Sequence, residues 1–168
     1  MIKLRLAIKE DLETLALIEA TCFPQAEAAT LAQFEERFQA FPENFLVAIE
    51  DNQVVGMING NTTQEPALPD IFYEQASCHQ REGAYMSVFG IDVLPDYQHR
   101  GIASQLMHGY IELAKERGKK GIILTCKDHL IPFYESFGYQ CLGVSDSSHG
   151  GAKWNDMLLM LGDESDEC

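Results

Sequence analysis

"DVLPDYQHRGIASQL", residues 92–106, joins the end of a strand to the start of a helix through a loop broken by Pro95, with Arg100 and Gly101 at the junction. A strand that stops, a loop with unpaired N–H groups and a helix N-terminus together make an anion site, because those N–H dipoles converge there. Gly101 lets the backbone approach a ligand closely, small Ala103 leaves the first turn uncrowded, and Arg100 adds a charge-assisted contact. The same spacing also suits an ordinary strand-to-helix turn in which Gly101 serves only the backbone angles.

Outward from this junction the pattern is regular. After it, Ile102, Leu106, Met107, Tyr110, Leu113 and Ala114 form one apolar helix face that ends near Gly118. Before it, "YMSVFGIDV", residues 85–93, reads as one long buried strand, and "GIILTC", residues 121–126, as another. Alternating Ile2, Leu4, Leu6 and Ile8 mark a first strand; Asp11 is placed to cap a helix carrying Leu12, Leu15 and Ile18. Thr30 with Gln33 forms a capping-box pattern ahead of Phe34 and Phe38. Residues 45–60 read as a hairpin turning at Asp51-Asn52. Residues 61–82 read as a long loop with a short helix near "LPDIFYE". Asp128 is placed to cap a short helix with Pro132 in its first turn, Gly138 ends it, and strands over 139–144 and 154–161 complete the chain. The order β-α-α-β-β-β-α-β-α-β-β implies an α/β fold, a mixed central sheet flanked by helices.

The 168 residues, 46% of them apolar, suffice for one packed core. A single domain is expected over residues 1–161, followed by a solvated, disordered acidic tail, "GDESDEC", over 162–168. Twelve Lys and Arg against 26 Asp and Glu give a net charge of −14, which disfavours nucleic acid and anionic membranes and favours a cationic ligand. No apolar run reaches the length of a signal peptide core or a membrane span, so a soluble, cytoplasmic protein is expected. Five cysteines lack the paired spacings of zinc or redox sites and read as packed thiols; no metal is expected.

The opening stretch resembles the acetyl-CoA pyrophosphate signature of the GNAT N-acetyltransferase superfamily, Gln/Arg-x-x-Gly-x-Gly/Ala, matched by Gln98, Gly101 and Ala103. The element order is similar to that family's fold over nearly the whole chain. The resemblance implies acetyl-CoA as co-substrate, with the strand backbone at Ile91, Asp92 and Val93 holding the pantetheine arm. It also implies that Gln98, His99, Arg100, Gly101, Ile102, Ala103 and Ser104 hold the pyrophosphate. A second stretch, "LTCKDHLIPFYESFGY", residues 124–139, resembles the corresponding strand and helix of arylalkylamine N-acetyltransferases. There a tyrosine after Pro-Phe acts as general acid toward the departing thiolate; Tyr134 matches it and Phe133 joins the cofactor residues. Read without the resemblance, Tyr134 is a core aromatic on an amphipathic helix.

The implied reaction is direct transfer of acetyl to the primary amine of a small molecule, such as an arylalkylamine or polyamine, in a ternary complex. Strand N–H groups near Ile91–Val93 would polarise the thioester carbonyl. Animal arylalkylamine enzymes carry a histidine pair where this chain has Ser87 and Phe89, two positions assigned to the acceptor pocket. Another group must therefore remove the amine's proton; Asp92, His129, His149 and ordered water stay open. Phe23 and Pro24, between the first two helices, either line an apolar amine pocket or staple helix ends into the core. Residues 145–154 are either a connector or a pocket rim. The alternatives are an acyl-CoA-binding module without turnover and an acetyltransferase of protein N-termini; a homodimer is compatible with each.

Overall fold

The computed structural model describes residues 1–162; the acidic stretch expected to be disordered lies, from residue 163 on, outside the described residues. Two sheets share the fold. The first has the order β1 (Lys3–Leu6), β2 (Phe45–Glu50), β3 (Gln53–Asn59), β6 (Gly90–Val93), antiparallel throughout. The second has the order β4 (Thr62–Thr63), β5 (Tyr85–Val88), β7 (Gly121–Cys126), β9 (Asn155–Met160), β8 (Gln140–Val144), in which only β5 and β7 run parallel. Helices α1 (Leu12–Cys22) and α2 (Leu31–Ala40) pack on one face of the first sheet, and α4 (Ile102–Glu116) on the other. Short helices α3 (Ile71–Glu74) and α5 (Ile131–Glu135) border the open end.

The period-two pattern of β2 explains the two cores. Phe45 and Val47 turn toward Leu15, Phe34 and Phe41, while Leu46 and Ala48 turn toward Leu106, Met107 and Tyr110 of α4. The turn after β2 uses Asp51 and Asn52 at φ 51° and 65°, the mirror-image geometry that suits a hairpin. At α2 the capping box forms as its sequence predicts: the Thr30 hydroxyl accepts the Gln33 N–H at 3.2 Å, and the Gln33 side chain accepts the Thr30 N–H at 2.8 Å. Two other caps do not form. Asp11 sits within a 3-10 turn before α1, where it accepts the Ile8 N–H at 2.9 Å and pairs with Arg5 at 2.7 Å. Asp128 likewise sits in a 3-10 turn before α5, and its carboxylate is taken by Asn155 at 2.7 Å instead.

The strand expected over 85–93 is two strands. β5 pairs with β7 as far as Val88↔Leu124; after Phe89 the chain changes partner, and β6 pairs with β3 from Asn59↔Gly90 to Gly56↔Val93. An unbroken apolar run carries no record of which neighbour each half takes. β6 and β7 therefore diverge beyond Phe89 and leave a wedge between the sheets. Ser87 pins the split: it donates its N–H to the Asn61 carbonyl at 2.9 Å, and its hydroxyl donates to Asn61 Oδ1 at 2.7 Å and accepts the Asn61 N–H at 3.0 Å.

Candidate active site

The register of β6 determines what its free edge presents. Leu94 donates its N–H to Val55, so the alternate residues Asp92 and Gly90 point their backbone groups at β3, while Ile91 and Val93 point theirs into the wedge. The Val93 carbonyl is taken there by the Gln98 side-chain amide at 2.9 Å and the Cys22 thiol at 3.3 Å. The N–H groups of Ile91 and Val93 are thus edge donors facing the wedge. Gln98 serves as a brace for the loop, leaving the loop backbone to face a ligand.

The loop then coils into a concave row of amides. His99 and Gly101 both have positive φ, 63° and 80°, and Gly101 begins α4, whose first bond runs from the Gln105 N–H to the Gly101 carbonyl. A side chain at Gly101 would meet no atom within 4 Å, so glycine serves here for its backbone angle and not for space. Beside this start of the 15-residue α4 lies a cavity of about 390 Å³, lined by Ile91, Val93, Gln98, His99, Gly101, Ile102, Ala103, Ser104, Phe133 and Tyr134. The sequence-predicted cofactor residues thus converge, with two exceptions. The Arg100 guanidinium turns out to pair with Glu50 at 3.0 Å, and the Asp92 side chain lies on the opposite face of the sheet from the cavity.

A larger cleft of about 780 Å³ opens between the sheets and shares Ile91, Val93, Gln98, Leu130 and Tyr134 with the smaller one. Phe23, Phe89, Tyr73, His149 and Trp154 give it aromatic walls, and Pro24 adds an apolar one. Phe89 lines it as its sequence position implies; Ser87 does not. Placing Ser87 in the acceptor pocket is corrected here, because its hydroxyl is committed to Asn61 and the residue is fully buried in the core. Residues 145–154 form a rim held on two sides. Asp70 accepts hydrogen bonds from the Ser147 hydroxyl and the Ser148 N–H, the His149 ring stacks on Tyr73 at 4.7 Å, and His149 Nε2 lies 2.9 Å from the Glu27 carbonyl.

Tyr134 stands where the cavities meet. It is 8% exposed, packed edge-on against Phe133 and Tyr139, and its hydroxyl bonds to no group among the described residues. Burial, reinforced by nearby Cys126, pushes the phenol well above its ordinary range, so it holds its proton at every working pH.

Three residues not singled out from the sequence complete the cleft: Glu19 of α1, Arg37 of α2 and Tyr73 of α3. Glu19 and Arg37 are 7% and 4% exposed. Their signal was present, since each is a charged residue on the core-facing side of an amphipathic helix, beside Leu15 and Ile18 or beside Phe34. Glu19 accepts the Ala29 N–H at 2.7 Å, and Arg37 donates to the Tyr73 carbonyl at 3.0 Å while its guanidinium lies over the Phe89 ring. Opposite Glu19 is Asp92, fully buried, with no donor to either carboxyl oxygen among the described hydrogen bonds. Burial and then the Glu19 charge push the Asp92 carboxyl well up, which favours its protonated form in the fold.

That proton has a thermodynamic consequence. Above the ordinary carboxylate range the unfolded chain binds fewer protons at Asp92 than the folded one, so stability falls as pH rises through that interval. Asp92→Asn, which needs no proton, is expected to gain over the parent by about 1.4 kcal/mol for each pH unit in which the folded carboxyl stays protonated. Urea unfolding at pH 4.5 and pH 7.5 checks this; an equal difference at both values would refute it.

Three comparisons bear on this arrangement. The model of the acetyltransferase (GNAT) family matches residues 12–139. Serotonin N-acetyltransferase of Mesocricetus auratus is 28% identical over 121 residues, 71% of this chain and 57% of that protein, so the match spans less than two thirds of the relative's length. Among solved structures, a GNAT-like decarboxylase in complex with isobutyryl-CoA, GphF, superposes at a TM-score of 0.80 with 19% identity, covering 95% of this chain and 100% of that one. A GNAT family acetyltransferase from Brucella melitensis in complex with acetyl-CoA superposes at 0.66 with 17% identity, covering 97% and 90%. Likeness at such identities speaks to the fold, while the family match runs from α1 through Tyr139 and takes in every residue that lines the smaller cavity; the chain belongs to the GNAT acetyltransferase family.

Proposed function

We propose that the chain moves the acetyl group of acetyl-CoA directly onto a primary amine of a small molecule, an arylalkylamine or a polyamine. The observation that carries this reading is the meeting of two cavities at a protonated Tyr134, beside the free amide edge of β6. The residues around the smaller cavity fit acetyl-CoA: converging amides at the start of α4 suit a pyrophosphate, and the apolar Ile91, Val93 and Phe133 suit a pantetheine arm. Bound there, acetyl-CoA supplies an activated thioester. The edge N–H groups of Ile91 and Val93 polarise its carbonyl, and Tyr134 gives its phenolic proton to the sulfur. In the larger cleft, the aromatic walls receive an aryl ring or methylene chain, and Asp70 and Glu74 near its rim favour a cation.

The test follows thioester absorbance with purified protein, acetyl-CoA and a panel of arylalkylamines, polyamines and peptide N-termini. Amine-dependent turnover with the first two classes is expected. Saturable acetyl-CoA binding with no turnover for any amine would instead make the chain a binding module, and turnover confined to peptides would move the acceptor to proteins. Gly101→Ala is expected to raise the acetyl-CoA Kd about tenfold with little loss of fold, since forcing a Cβ into positive φ costs about 1–2 kcal/mol and shifts the amide row. Calorimetric titration with acetyl-CoA checks it; an unchanged Kd would remove the loop from the site.

A further inference from the structure

The acceptor amine arrives as an ammonium ion, and neither side chain at the histidine-pair positions can take its proton, Phe89 having no basic atom and the Ser87 hydroxyl being committed to Asn61. The two histidines that line the cleft are poorly placed for that task. His149 is stacked on Tyr73 with Nε2 at the Glu27 carbonyl, and His129 sits in the exposed turn before α5. Of the buried carboxyls beside the cleft, Glu27 is paired with Lys127 at 2.9 Å, which leaves Glu19 and Asp92. A Cβ built on Gly90 would lie 3.2 Å from Asp92 Oδ1 and 3.8 Å from Glu19 Oε1, so both carboxyls converge on one glycine, the residue before the edge donor Ile91. Glu19 lines the acceptor cleft; Asp92 lies behind it with both oxygens lacking a protein donor unless it shares a proton with Glu19.

We infer that Glu19, held by Asp92, is the group that takes the proton from the acceptor amine. This rests on the acetyltransferase reading above. Gly90 has no side chain to stand between the carboxyls and the cleft, and Ala29 fixes the second oxygen of Glu19 through its N–H. Asp92 is a positioning residue: protonated, it donates to Glu19 and leaves that carboxylate as the proton acceptor. Other ionisable groups face the pair from Cys22 on α1, Arg37 on α2, Tyr73 on α3 and Tyr134 on α5. Burial pushes the Cys22 thiol up to about 11 and the Tyr73 phenol up to about 12, so both stay neutral near pH 7, and Arg37 is the one cation among these neighbours.

Glu19 takes one proton from the ammonium, whose freed lone pair forms the C–N bond to the thioester carbon. As the C–S bond breaks, the sulfur receives the Tyr134 proton. Tyr134 recovers one from the nitrogen, leaving the amide with a single N–H, and Glu19 releases its proton to water through the cleft.

The experiment is the pH dependence of kcat and KM for the best amine of the panel, in the parent, Glu19→Gln and Asp92→Asn. Glu19→Gln is expected to lower kcat about 100-fold at pH 7 and to move the acid limb up to the amine's own ionisation, so that rates recover toward the parent's as pH rises and the amine deprotonates itself. Its acetyl-CoA affinity should be unchanged, which shows that the variant is folded. Asp92→Asn keeps a hydrogen-bond donor beside Glu19 and is expected to retain an acid limb, displaced from the parent's. A Glu19→Gln profile parallel to the parent's at every pH would overturn the inference, as would a limb moved to the amine's own ionisation in Asp92→Asn alone, which would make Asp92 the acceptor. A parent that acetylates nothing would sink the acetyltransferase reading as well, so the two failures are distinguishable.

Discussion

Tyr134→Phe is expected to lower kcat by a factor of about 100 or more while acetyl-CoA binds as before. The loss is that of a general acid, since thiolate must then depart without a proton donor within reach. Few positions allow so clean a test. The Tyr134 hydroxyl bonds to no described residue, so removing it orphans no partner, and phenylalanine keeps the edge-on packing between Phe133 and Tyr139. Stability should change by less than about 1 kcal/mol, because only a hydroxyl without a protein partner is lost. Steady-state kinetics beside acetyl-CoA titration checks both halves; unaltered kcat would show that Tyr134 is a wall of the site and that the thiolate finds its proton elsewhere. Unlike Glu19→Gln, this variant should not recover at high pH, because a deprotonated amine does nothing for the leaving sulfur.

Gly60→Ala is expected to destabilise the fold by about 3 kcal/mol, near the upper end for overpacking. A Cβ there would lie 1.9 Å from the Ser87 carbonyl oxygen and 2.5 Å from its carbon, backbone atoms that cannot swing aside as a flexible side chain would. That same carbonyl accepts the Tyr110 hydroxyl at 2.7 Å, so pushing it away also breaks a buried bond to α4. For a chain of this size the loss corresponds to a Tm lower by about 10 °C. The effect should reach function, since Ser87 and Asn61 hold the point where the sheets part. Gly118→Ala is the control: φ is 70° but no atom lies within 4 Å of its Cβ, so only backbone strain of about 1–2 kcal/mol remains. Equal losses at the two positions would refute the close-contact account.

The loop from Gln98 to Ser104 was legible in sequence because its geometry is local: a positive-φ glycine, a small residue in the first turn and an amphipathic helix after it lie within a dozen residues. The Thr30 capping box and the Asp51-Asn52 turn were legible for the same reason. Asp11 and Asp128 misled because a side chain suited to capping also suits other donors. Arg5, close by on β1, and Asn155, brought in from β9, offered better ones. Tyr134 was legible only through its resemblance to a motif; its apolar spacing reads as core.

The sequence by itself determined the α/β class, the positive-φ glycine turn into α4 and the net negative charge, all of which depend on neighbours in the chain or on sums over it. Only the tertiary structure decided that residues 85–93 split between two sheets, that Ser87 belongs to the core, and that Glu19 and Arg37 line the larger cleft with Asp92 buried beside them. The physical reason is that strand partners and buried charges are chosen across 30 to 70 residues, where pairing and desolvation energies act and one-dimensional periodicity carries no information.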